Sequence, residues 1–462
     1  ILSKKEVSKD KFVSEILIRR KNIKNNYIDL SIVVAGNVDA GKTSTIGVLI
    51  SGKLDNGRGL SRVEVFNFKH EIESGRTSSI AQEILGYDSE GNVVNDSSVR
   101  KMSWPEIVRE SSKIVSFYDL AGHEKYLRTT IYGFSSTYPD YAMILIGANM
   151  GITHMTREHI SLCLSYKIPF FVIFTKIDIA PEDVYENNKK IFKKIIKSPG
   201  VRRISIEMKT EEDVILGAKN MINENIVPYL EISNTTGKNI DILKKFLNLL
   251  PQRNHLKKFE NEPVEFTVDE KYNITGIGTV VSGVMLRGRV KIGDQLLIGP
   301  DKSGLYKNTQ VKSIHYKRVN VEEAKSGSYV CFNIKKIAKA WVKRGMTIIS
   351  SHDQPKTVWE FDAKTTILQT HHTTIRVGYE PNIHVNNISQ ACRIKSIKLI
   401  SSKNDVENEE VLRAGDRAIV RFRFCYKPEY IKEGFRVVFR ENKVRGIGLI
   451  SKIYPTIINK KN

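Results

Sequence analysis

A glycine-containing segment near the start of the chain limits the folds that this sequence can adopt. An apolar run, residues 32–35, precedes residues 36–43, which read GNVDAGKT and fit the pattern G-x-x-x-x-G-K-[ST]. Between a buried strand and a helix, this pattern predicts a phosphate-binding loop, because its glycines let successive backbone N–H groups point at phosphate oxygens. Lys42 is predicted to reach the β- and γ-phosphates, and Thr43 to offer its hydroxyl to Mg²⁺.

Bulk composition restricts the class of protein. The 462 residues are enough for several domains, and a net charge of +22 predicts a positive surface that attracts polyanions. Nucleic acid is the expected partner, and a uniformly basic proteome is the alternative explanation. The four cysteines are far apart without a C-x-x-C pair, and no apolar run approaches the roughly 20 residues of a membrane span. We expect a cytoplasmic monomer with reduced thiols and no membrane segment.

The order of apolar and polar runs predicts the architecture of the first half. Apolar strands alternate with amphipathic helical stretches from residue 32 to about residue 250, which predicts an α/β domain with a parallel sheet wound with helices. Strands are predicted at 114–118, 141–147 and 170–174, and a closing helix at 240–250. Residues 1–28 are predicted to form a helix and a basic link. The long polar segment 51–112 is predicted to be functional or mobile.

After Pro251 the pattern changes to short β-branched runs separated by glycines. Two such stretches, divided near residues 352–355, predict two small β barrels. The expected organisation is an N-terminal extension (1–28), a P-loop nucleotide-binding domain (29–255), a first barrel (260–352) and a second barrel (355–462).

The segment FYDLAGH, residues 117–123, is predicted to act on the phosphates. Asp119 ends a strand, where a carboxylate can hold Mg²⁺ through water. Gly122 can turn its N–H towards a γ-phosphate, and His123 follows where an imidazole can orient the attacking water. A surface histidine after a turn is the alternative for His123.

Two further strand ends are predicted to select the base. Thr175, Lys176 and Asp178 follow an apolar strand, and a carboxylate there can accept hydrogen bonds from both N1–H and the 2-amino group of guanine. Adenine offers neither donor, so Asp178 predicts GTP rather than ATP. The turn at Ser233, Asn234 and Thr235 can offer backbone N–H groups to guanine O6, although an ordinary turn is the alternative.

These segments resemble the translational GTPases, the superfamily of elongation factor Tu and eukaryotic elongation factor 1A. GNVDAGKTS is similar to their phosphate loop, and DLAGH to their D-x-P-G-H box. Within the superfamily the chain looks most like the GTP-binding protein 1 and 2 subfamily, whose SGRTSS, DSEGNVVN, DLAGHEKYL and TKID are similar to residues 74–79, 88–95, 119–127 and 175–178. The likeness continues through GIGTVVSG and the FRF…KPEY…VVFRE pattern near the C-terminus.

The resemblance implies a GTPase domain and two elongation-factor-type barrels. It implies that Thr77 is a switch threonine that meets Mg²⁺ and the γ-phosphate in the GTP state, and that Asp39 helps to hold a monovalent cation. Ala121, Thr175 and Arg76 depart from the pattern of elongation factor Tu. The residues expected to bind GTP or GDP are Gly36, Asn37, Val38, Asp39, Ala40, Gly41, Lys42, Thr43, Ser44, Gly122, Thr175, Lys176, Asp178, Ser233, Asn234 and Thr235; those expected at Mg²⁺ are Thr43, Thr77 and Asp119; and His123 is the expected catalytic residue.

The predicted function is a GTP-hydrolysing switch that acts with tRNA or the ribosome. The alternatives are a GTPase in RNA turnover or ribosome rescue, and a GTP-dependent regulatory subunit of a metabolic enzyme. Alternation in the second barrel is predicted to place cations on one face and aromatics in the core; an RNA-binding face and a solvated basic face are both open. The cations are Arg421, Arg423, Lys427, Arg436, Arg440, Lys443 and Arg445, and the aromatics are Phe422, Phe424, Tyr426, Phe435 and Phe439.

Overall fold

The structure of the chain is a computed structural model that describes most of its residues. The described residues are 3–8, 11–19, 27–66, 71, 77, 79–95, 101–223, 225–253, 255–351, 356–368, 374–401, 411–440 and 444–456. They belong to two compact units, one of residues 1–134 with 139–253 and one of residues 135–138 with 254–462. Within the described ranges no helix is both long enough and apolar enough to cross a membrane.

The first unit alternates strands and helices. Its strands are β1 (Ser3–Ser8), β2 (Lys11–Glu15), β3 (Ile28–Gly36), β4 (Ala81–Tyr87), β5 (Lys113–Asp119), β6 (Tyr141–Gly147), β7 (Phe170–Thr175), β8 (Ile204–Glu207) and β9 (Ile226–Glu231). The helices that lie or begin in it are α1 (Lys42–Ser51), α2 (Trp104–Glu110), α3 (Leu127–Ser136), α4 (His154–Tyr166), α5 (Glu182–Lys197), α6 (Glu211–Asn220) and α7 (Ile240–Leu249).

The central sheet has the order β4-β5-β3-β6-β7-β9-β8. Only the edge strand β4 runs antiparallel to its neighbour, and the other pairings in this sheet are parallel. Every residue of β5, β6 and β7 is buried, as expected for parallel strands covered on both faces. The predicted α/β fold and its strands at 114–118, 141–147 and 170–174 are therefore confirmed.

The closing helix α7 is held at its C-terminal end by a buried lysine. Lys113 Nζ donates to the carbonyl oxygens of Leu247, Asn248 and Leu250 at 2.8, 2.7 and 2.6 Å. These are carbonyls that the end of a helix leaves without intrahelical partners. Burial lowers the pKa of the Lys113 ammonium, so the three acceptors are what compensate for its removal from water.

Two local expectations were incomplete or wrong. The polar segment contains β4 and the short helix α2, whose start is fixed by a capping box between Ser103 and Glu106. The helix predicted in residues 1–28 is wrong, because β1 and β2 pair there as an antiparallel hairpin. Phe12 and Ile16, the apolar pair at helical spacing, are 51% and 61% exposed, so this pair provides no buried face that would favour a helix.

The second unit is almost entirely β structure. Its strands are β10 (Glu265–Ile274), β11 (Gly278–Arg287), β12 (Arg289–Lys291), β13 (Gln295–Gly299), β14 (Lys307–Tyr316), β15 (Val319–Val321), β16 (Glu323–Lys325), β17 (Tyr329–Ile334), β18 (Thr347–Ser350), β19 (Thr357–Ile367), β20 (Ile375–Arg376), β21 (Asn382–Val385), β22 (Ile388–Ser401), β23 (Val411–Leu412), β24 (Arg417–Phe424), β25 (Arg436–Arg440) and β26 (Val444–Thr456).

These strands form two successive β domains. The first has the order β13-β18-β10-β11-β17-β14-β15, and β13 also pairs with β14, so that the strands from β13 to β14 make a continuous ring. The second is a closed barrel of β19-β24-β22-β21-β25-β26. Each encloses its own apolar core, around Phe266 and Phe332 in the first and around Phe361, Phe422 and Phe439 in the second. The predicted fold class, an α/β domain followed by two β domains, is confirmed.

Candidate nucleotide-binding site

The phosphate loop connects β3 to α1, as the sequence pattern predicts. Gly41 caps the start of α1 with a φ of 78°, and Asp39 also has a positive φ, 59°. Lys42 is buried, and its Nζ donates to Asn37 O at 2.8 Å. Burial lowers the pKa of Lys42, and the nearby carboxylates of Asp119 and Asp39 oppose that shift. The ammonium is thus held at the loop, where a phosphate would replace lost hydration.

Three oxygen-bearing side chains meet beside the start of α1. Thr43 Oγ1 donates to Asp119 Oδ2 at 2.6 Å, Thr77 Oγ1 donates to the same oxygen at 3.2 Å, and the two hydroxyl oxygens are 2.9 Å apart. Among the described residues, the buried Asp119 Oδ1 has no hydrogen-bond partner. Burial raises the pKa of Asp119 to about 6, against the opposing effect of Lys42. A compact oxygen set with an uncompensated carboxylate oxygen fits Mg²⁺, which takes few protein ligands and keeps several waters.

The residues after Asp119 lie against the phosphate loop. A Cβ atom added to Gly122 would lie 2.7 Å from Gly36 O and closer still to Lys42 Nζ, so this position has room only for glycine. His123 is half-buried and caps the following turn, where its Nδ1 accepts from the backbone N–H of Lys125 at 3.1 Å. An accepting Nδ1 places the proton of the neutral imidazole on Nε2. In this arrangement Nε2 is a donor that can orient a water molecule.

Many of the predicted residues line one open cavity in the first unit. The lining consists of Val38, Asp39, Gly41, Lys42, Thr43, Ser44, Thr77, Gly122, His123 and Lys176, together with Asp55, Gly57, Gly59 and Arg62. Groups predicted for phosphate, metal and water therefore face one space. Asp119 contacts Thr43 and Thr77 from behind, while the predicted base-binding residues other than Lys176 do not contribute to this lining.

The predicted guanine-binding segments are joined by hydrogen bonds. Asp178 is exposed, and its Oδ2 accepts from Thr235 Oγ1 at 2.9 Å. Thr235 Oγ1 is also 2.9 Å from Ser233 Oγ. Lys176, the residue after β7, has a φ of 61°, so the extended conformation of the strand ends there. The structure thus brings Asp178 and the turn at Ser233–Thr235 together at the carboxyl end of the sheet.

Two other predicted residues brace the phosphate loop. Thr175 Oγ1 donates to Ala40 O at 2.8 Å, and Asn234 Nδ2 donates to Thr45 Oγ1 at 3.0 Å. Both side chains are buried. Their observed contacts position the loop and α1, so sequence reasoning placed them at the correct edge but did not identify this bracing.

Family models match successive parts of the chain. The elongation factor Tu GTP binding domain matches residues 29–252, elongation factor Tu domain 2 matches 278–349, and the elongation factor Tu C-terminal domain matches 354–454. GTP-binding protein 1 of Xenopus laevis is 43% identical over 449 residues, which cover 97% of this chain and 67% of that protein. The chain belongs to the translational GTPase superfamily. Human GTP-binding protein 2 is 37% identical over 461 residues, covering 98% of this chain and 75% of that protein.

More distant comparisons agree with the fold of this translational GTPase. Elongation factor 1-alpha of Metallosphaera sedula is 28% identical over 462 residues, covering 94% of this chain and 99% of that protein. The structure of elongation factor SelB from Methanococcus maripaludis, in complex with the GTP analogue GPPNHP, has a TM-score of 0.64 at 20% identity. That match covers 93% of this chain and 80% of the SelB chain.

Sequence reasoning missed an acidic contact in the predicted switch region of the translational GTPase. Glu71 is completely buried, and its Oε1 accepts from Ser79 N and Ser79 Oγ at 3.1 and 3.0 Å. Ser79 follows Thr77 by two residues, so Glu71 holds a residue close in sequence to the predicted switch threonine. Arg76, which departs from the family pattern, lies outside the described residues. A serine close to a glutamate in a polar segment gives no distinctive sequence signal.

The second barrel of the translational GTPase follows the predicted alternation only in part. Phe422, Phe424 and Phe439 are buried as predicted, but Tyr426 is 76% exposed because β24 ends at Phe424 and the alternation stops there. The prediction that Tyr426 fills the core is wrong.

Ion pairs offset part of the predicted basic face. Arg421 Nε donates to Asp362 Oδ1 at 2.8 Å, and Arg423 Nη1 donates to Glu360 Oε1 at 2.8 Å, in both cases across the β19–β24 pairing. Lys427 Nζ donates to Glu429 Oε2 at 3.1 Å. Lys443 and the side chain of Arg445 lie outside the described part of the chain.

Proposed function

We propose that this translational GTPase binds GTP with Mg²⁺, hydrolyses it to GDP and phosphate, and uses the reaction as a conformational switch. The observation that carries the proposal is the shared cavity, in which Lys42, Thr43, Thr77 and His123 face one space beside the phosphate loop. Belonging to the translational GTPase superfamily supports the nucleotide and the reaction class.

The phosphate end of the cavity suits charge stabilisation without a covalent intermediate. Lys42 and the backbone N–H groups of the loop would bind the β- and γ-phosphates, and Gly122 would present its N–H to the γ-phosphate. Thr43 and Thr77 would hold Mg²⁺ directly, with Asp119 acting through water. The ion would neutralise charge on the β- and γ-phosphate oxygens during transfer.

His123 is proposed to orient the attacking water. With Nδ1 accepting from Lys125 N, the neutral ring has its proton on Nε2 and would donate to the water oxygen. The water would then attack the γ-phosphorus in line with the departing β–γ bridging oxygen. Thr77 would gain contacts to the metal and the γ-phosphate in the GTP form and lose them on hydrolysis, which makes its segment the proposed switch.

The base is proposed to be guanine. Asp178 lies at the carboxyl end of the sheet, with its Oδ2 joined to Thr235 and its second oxygen available for the N1–H and 2-amino donors of the base. Backbone N–H groups of the turn at Ser233–Thr235 would face guanine O6. A site built to satisfy both donors discriminates strongly against adenine, since the carboxylate would be left without partners.

RNA, either tRNA or ribosomal RNA, is the proposed macromolecular partner. The net charge of +22 supports a polyanion, and elongation factors among the relatives support a role in translation. If this is correct, the GTP form will bind aminoacylated tRNA far more tightly than deacylated tRNA. RNA turnover and ribosome rescue predict no such preference for the aminoacyl group.

The enzymatic part of the proposal is tested by His123→Ala. We expect the variant to bind GTP and GDP as the unchanged protein does, and to lose about 10²- to 10⁴-fold of ribosome-stimulated hydrolysis, the range for positioned acid–base groups. Single-turnover phosphate release with saturating ribosomes separates the chemical step from binding. Hydrolysis by the variant at the wild-type rate would reject the role of His123. Failure of the wild-type protein to bind GTP would reject the proposed function.

A further inference from the structure

A loop that follows α1 forms one wall of the candidate nucleotide cavity. We call residues 55–62 the arginine loop, after Arg62 and Arg58. Asp55, Gly57, Gly59 and Arg62 of this loop line the same cavity as the phosphate loop. None of these four residues has a place in the motifs that identify the superfamily.

The arginine loop is attached to α1 at its C-terminal end. Ser61 is buried, and its Oγ lies 3.3 Å from Ser44 O. Ser44 belongs to the first turn of α1 and directly follows Thr43. The backbone of Ser61 also passes so close to α1 that a Cβ atom at Gly47 would collide with Ser61 O. Arg62 therefore lies beside the first turn of α1, the helix that follows the phosphate loop.

The other end of the arginine loop is attached to the predicted base-binding turn. Asp55 N donates to Asn234 O at 2.8 Å. A Cβ atom at Gly57 would lie 3.8 Å from Thr235 Cγ2, in ordinary contact. The loop thus spans from the base end of the proposed site to the start of α1. A nucleotide bound with its base at Asp178 and its terminal phosphates at Lys42 would pass its α-phosphate along this wall.

The shape of the arginine loop is fixed by the carboxylate of Asp55. Its two oxygens accept from the backbone N–H groups of Gly57, Gly59 and Ser61 at 3.2, 3.1 and 2.9 Å, and from Ser61 Oγ at 2.9 Å. Burial raises the pKa of Asp55, but the hydrogen bonds from Ser61, Gly59 and Gly57 outweigh it, so the pKa lies below its usual value. Both oxygens of the Asp55 carboxylate are therefore engaged in hydrogen bonds within the loop.

Arg62 brings its guanidinium over Gly59. Its Nη2 donates to Arg58 O at 3.3 Å, and its Nε and Nη2 occupy the space that a Cβ at Gly59 would need. Gly59 has a φ of 85°, so glycine is favoured there by conformation as well as by space. The placement of the guanidinium over the loop, and hence beside the cavity, depends on this glycine.

The charges that line the cavity would balance without Arg62. Lys42 and Lys176 are cationic, and Asp39 and Asp55 are anionic. Arg62 is the third cation of this described lining, and it is a planar group whose several donors match the geometry of a phosphate.

We propose that Arg62 is a nucleotide-binding residue that contacts the α- and β-phosphates common to GDP and GTP. This inference rests on the proposed guanine-nucleotide function of the site. Because the described attachments of the loop are to α1 and to the base-binding turn, Arg62 contributes equally in both states of the switch. It stabilises nucleotide binding and does not sense the γ-phosphate.

The test compares two arginines of the same loop. Arg62→Gln is expected to weaken binding of both fluorescent GDP and a non-hydrolysable fluorescent GTP analogue by about 10- to 100-fold, the loss for a charge-assisted hydrogen bond. Arg58→Gln is the matched control, because Arg58 is exposed and does not line the cavity. It is expected to bind both nucleotides with unchanged affinity.

Two more variants make the outcome specific. Arg62→Lys keeps the charge and is expected to recover part of the lost affinity. Gly59→Ala displaces the guanidinium without removing it, and is expected to weaken GDP and GTP binding in parallel. Thermal unfolding of each variant shows whether the fold is retained.

Four results would overturn the inference. These are unchanged affinity in Arg62→Gln, a loss confined to the GTP analogue, a loss in Arg58→Gln as large as that in Arg62→Gln, and unchanged affinity in Gly59→Ala. If the unchanged protein binds no guanine nucleotide, the proposed function fails first. If the wild-type protein binds guanine nucleotide and the Arg62 variants bind it with the same affinity, only the role of Arg62 fails.

Discussion

Gly122→Ala is a sharp test of the geometry around the phosphate loop. A Cβ at residue 122 would lie 2.7 Å from Gly36 O and 2.9 Å from the carbonyl carbon of Asn37, and closer still to Lys42 Nζ. The lysine end can move, because it is the tip of a flexible side chain. The two backbone atoms cannot move without displacing the loop, so the added methyl group must perturb both the cradle and its ammonium.

The size of the effect follows from those contacts. Overpacking in a tightly packed site costs about 1–3 kcal/mol of folding stability, which thermal unfolding measures. Displacing Lys42 would remove a charge-assisted contact to phosphate worth about 1.5–3 kcal/mol, and this loss is the one that enters the affinity. We therefore expect the Kd for both GDP and a GTP analogue to rise by about 10- to 100-fold.

The assay is equilibrium titration with fluorescent nucleotides, together with thermal unfolding to establish that the variant folds. Gly200→Ala is the matched control, since a Cβ at Gly200 would meet no described atom beyond its chain neighbours within 4 Å. The control is expected to bind normally. A folded Gly122→Ala protein with unchanged affinity for both nucleotides would refute the argument that Gly122 is needed for close approach.

Three other predictions concern separate parts of the molecule. Asp178→Asn should weaken GTP binding and favour xanthosine triphosphate, whose extra carbonyl accepts from an amide; competition between the two nucleotides measures this. Ser79→Ala should lower affinity for a GTP analogue relative to GDP by roughly tenfold, since it removes one of the two hydrogen bonds to Glu71; a parallel loss for both nucleotides would contradict this. Burial raises the pKa of Glu429 from 4.5 to about 7, so the folded state binds this proton more tightly than the unfolded state does. The folding stability that protonated Glu429 contributes is therefore lost as the pH rises from about 4.5 to 7. Glu429→Gln should remove that dependence, measured as the difference in unfolding temperature from the unchanged protein at pH 4.5, 6 and 8.

The predictable parts of the fold are those in which burial dictates composition. Strands β5, β6 and β7 are buried at every residue, so their sequences are rich in apolar residues, and their alternation with helices makes them recognisable. Strand β4 was missed because it lies at the sheet edge and includes Gln82, Glu83 and Gly86, which interrupt the apolar pattern. In β2 four residues are exposed and Glu15 is half-buried, so burial does not pattern the sequence of this strand, and spacing alone gave the wrong element.

The candidate site shows the same limit. Lys42, Asp119 and Asp178 belong to motifs in which chemistry fixes residue type and spacing, so they were predictable from the sequence. Arg62 and Glu71 belong to a polar segment. Arg62 lines the cavity next to Ser61, which packs on α1, and Glu71 accepts from Ser79; no spacing rule connects either residue to the motifs. The sequence of residues 55–62 is typical of a turn, but which way this turn faces depends on tertiary packing.

Thr175 departs from the family pattern, and the structure explains this because Thr175 and Asn234 share the contacts that hold the phosphate loop. Thr175 replaces the asparagine of the family pattern, and its hydroxyl can donate one hydrogen bond, which goes to Ala40 O. Asn234 supplies a further brace through Thr45 Oγ1, and its Nδ2 and Thr175 Oγ1 would each lie 3.5 Å from a Cβ at Gly41. The same turn of the phosphate loop is therefore held from two neighbouring strand ends. Since the loop retains buried polar partners on this side, a threonine here is compatible with the nucleotide-binding geometry, and the motif mismatch by itself does not weigh against guanine-nucleotide binding.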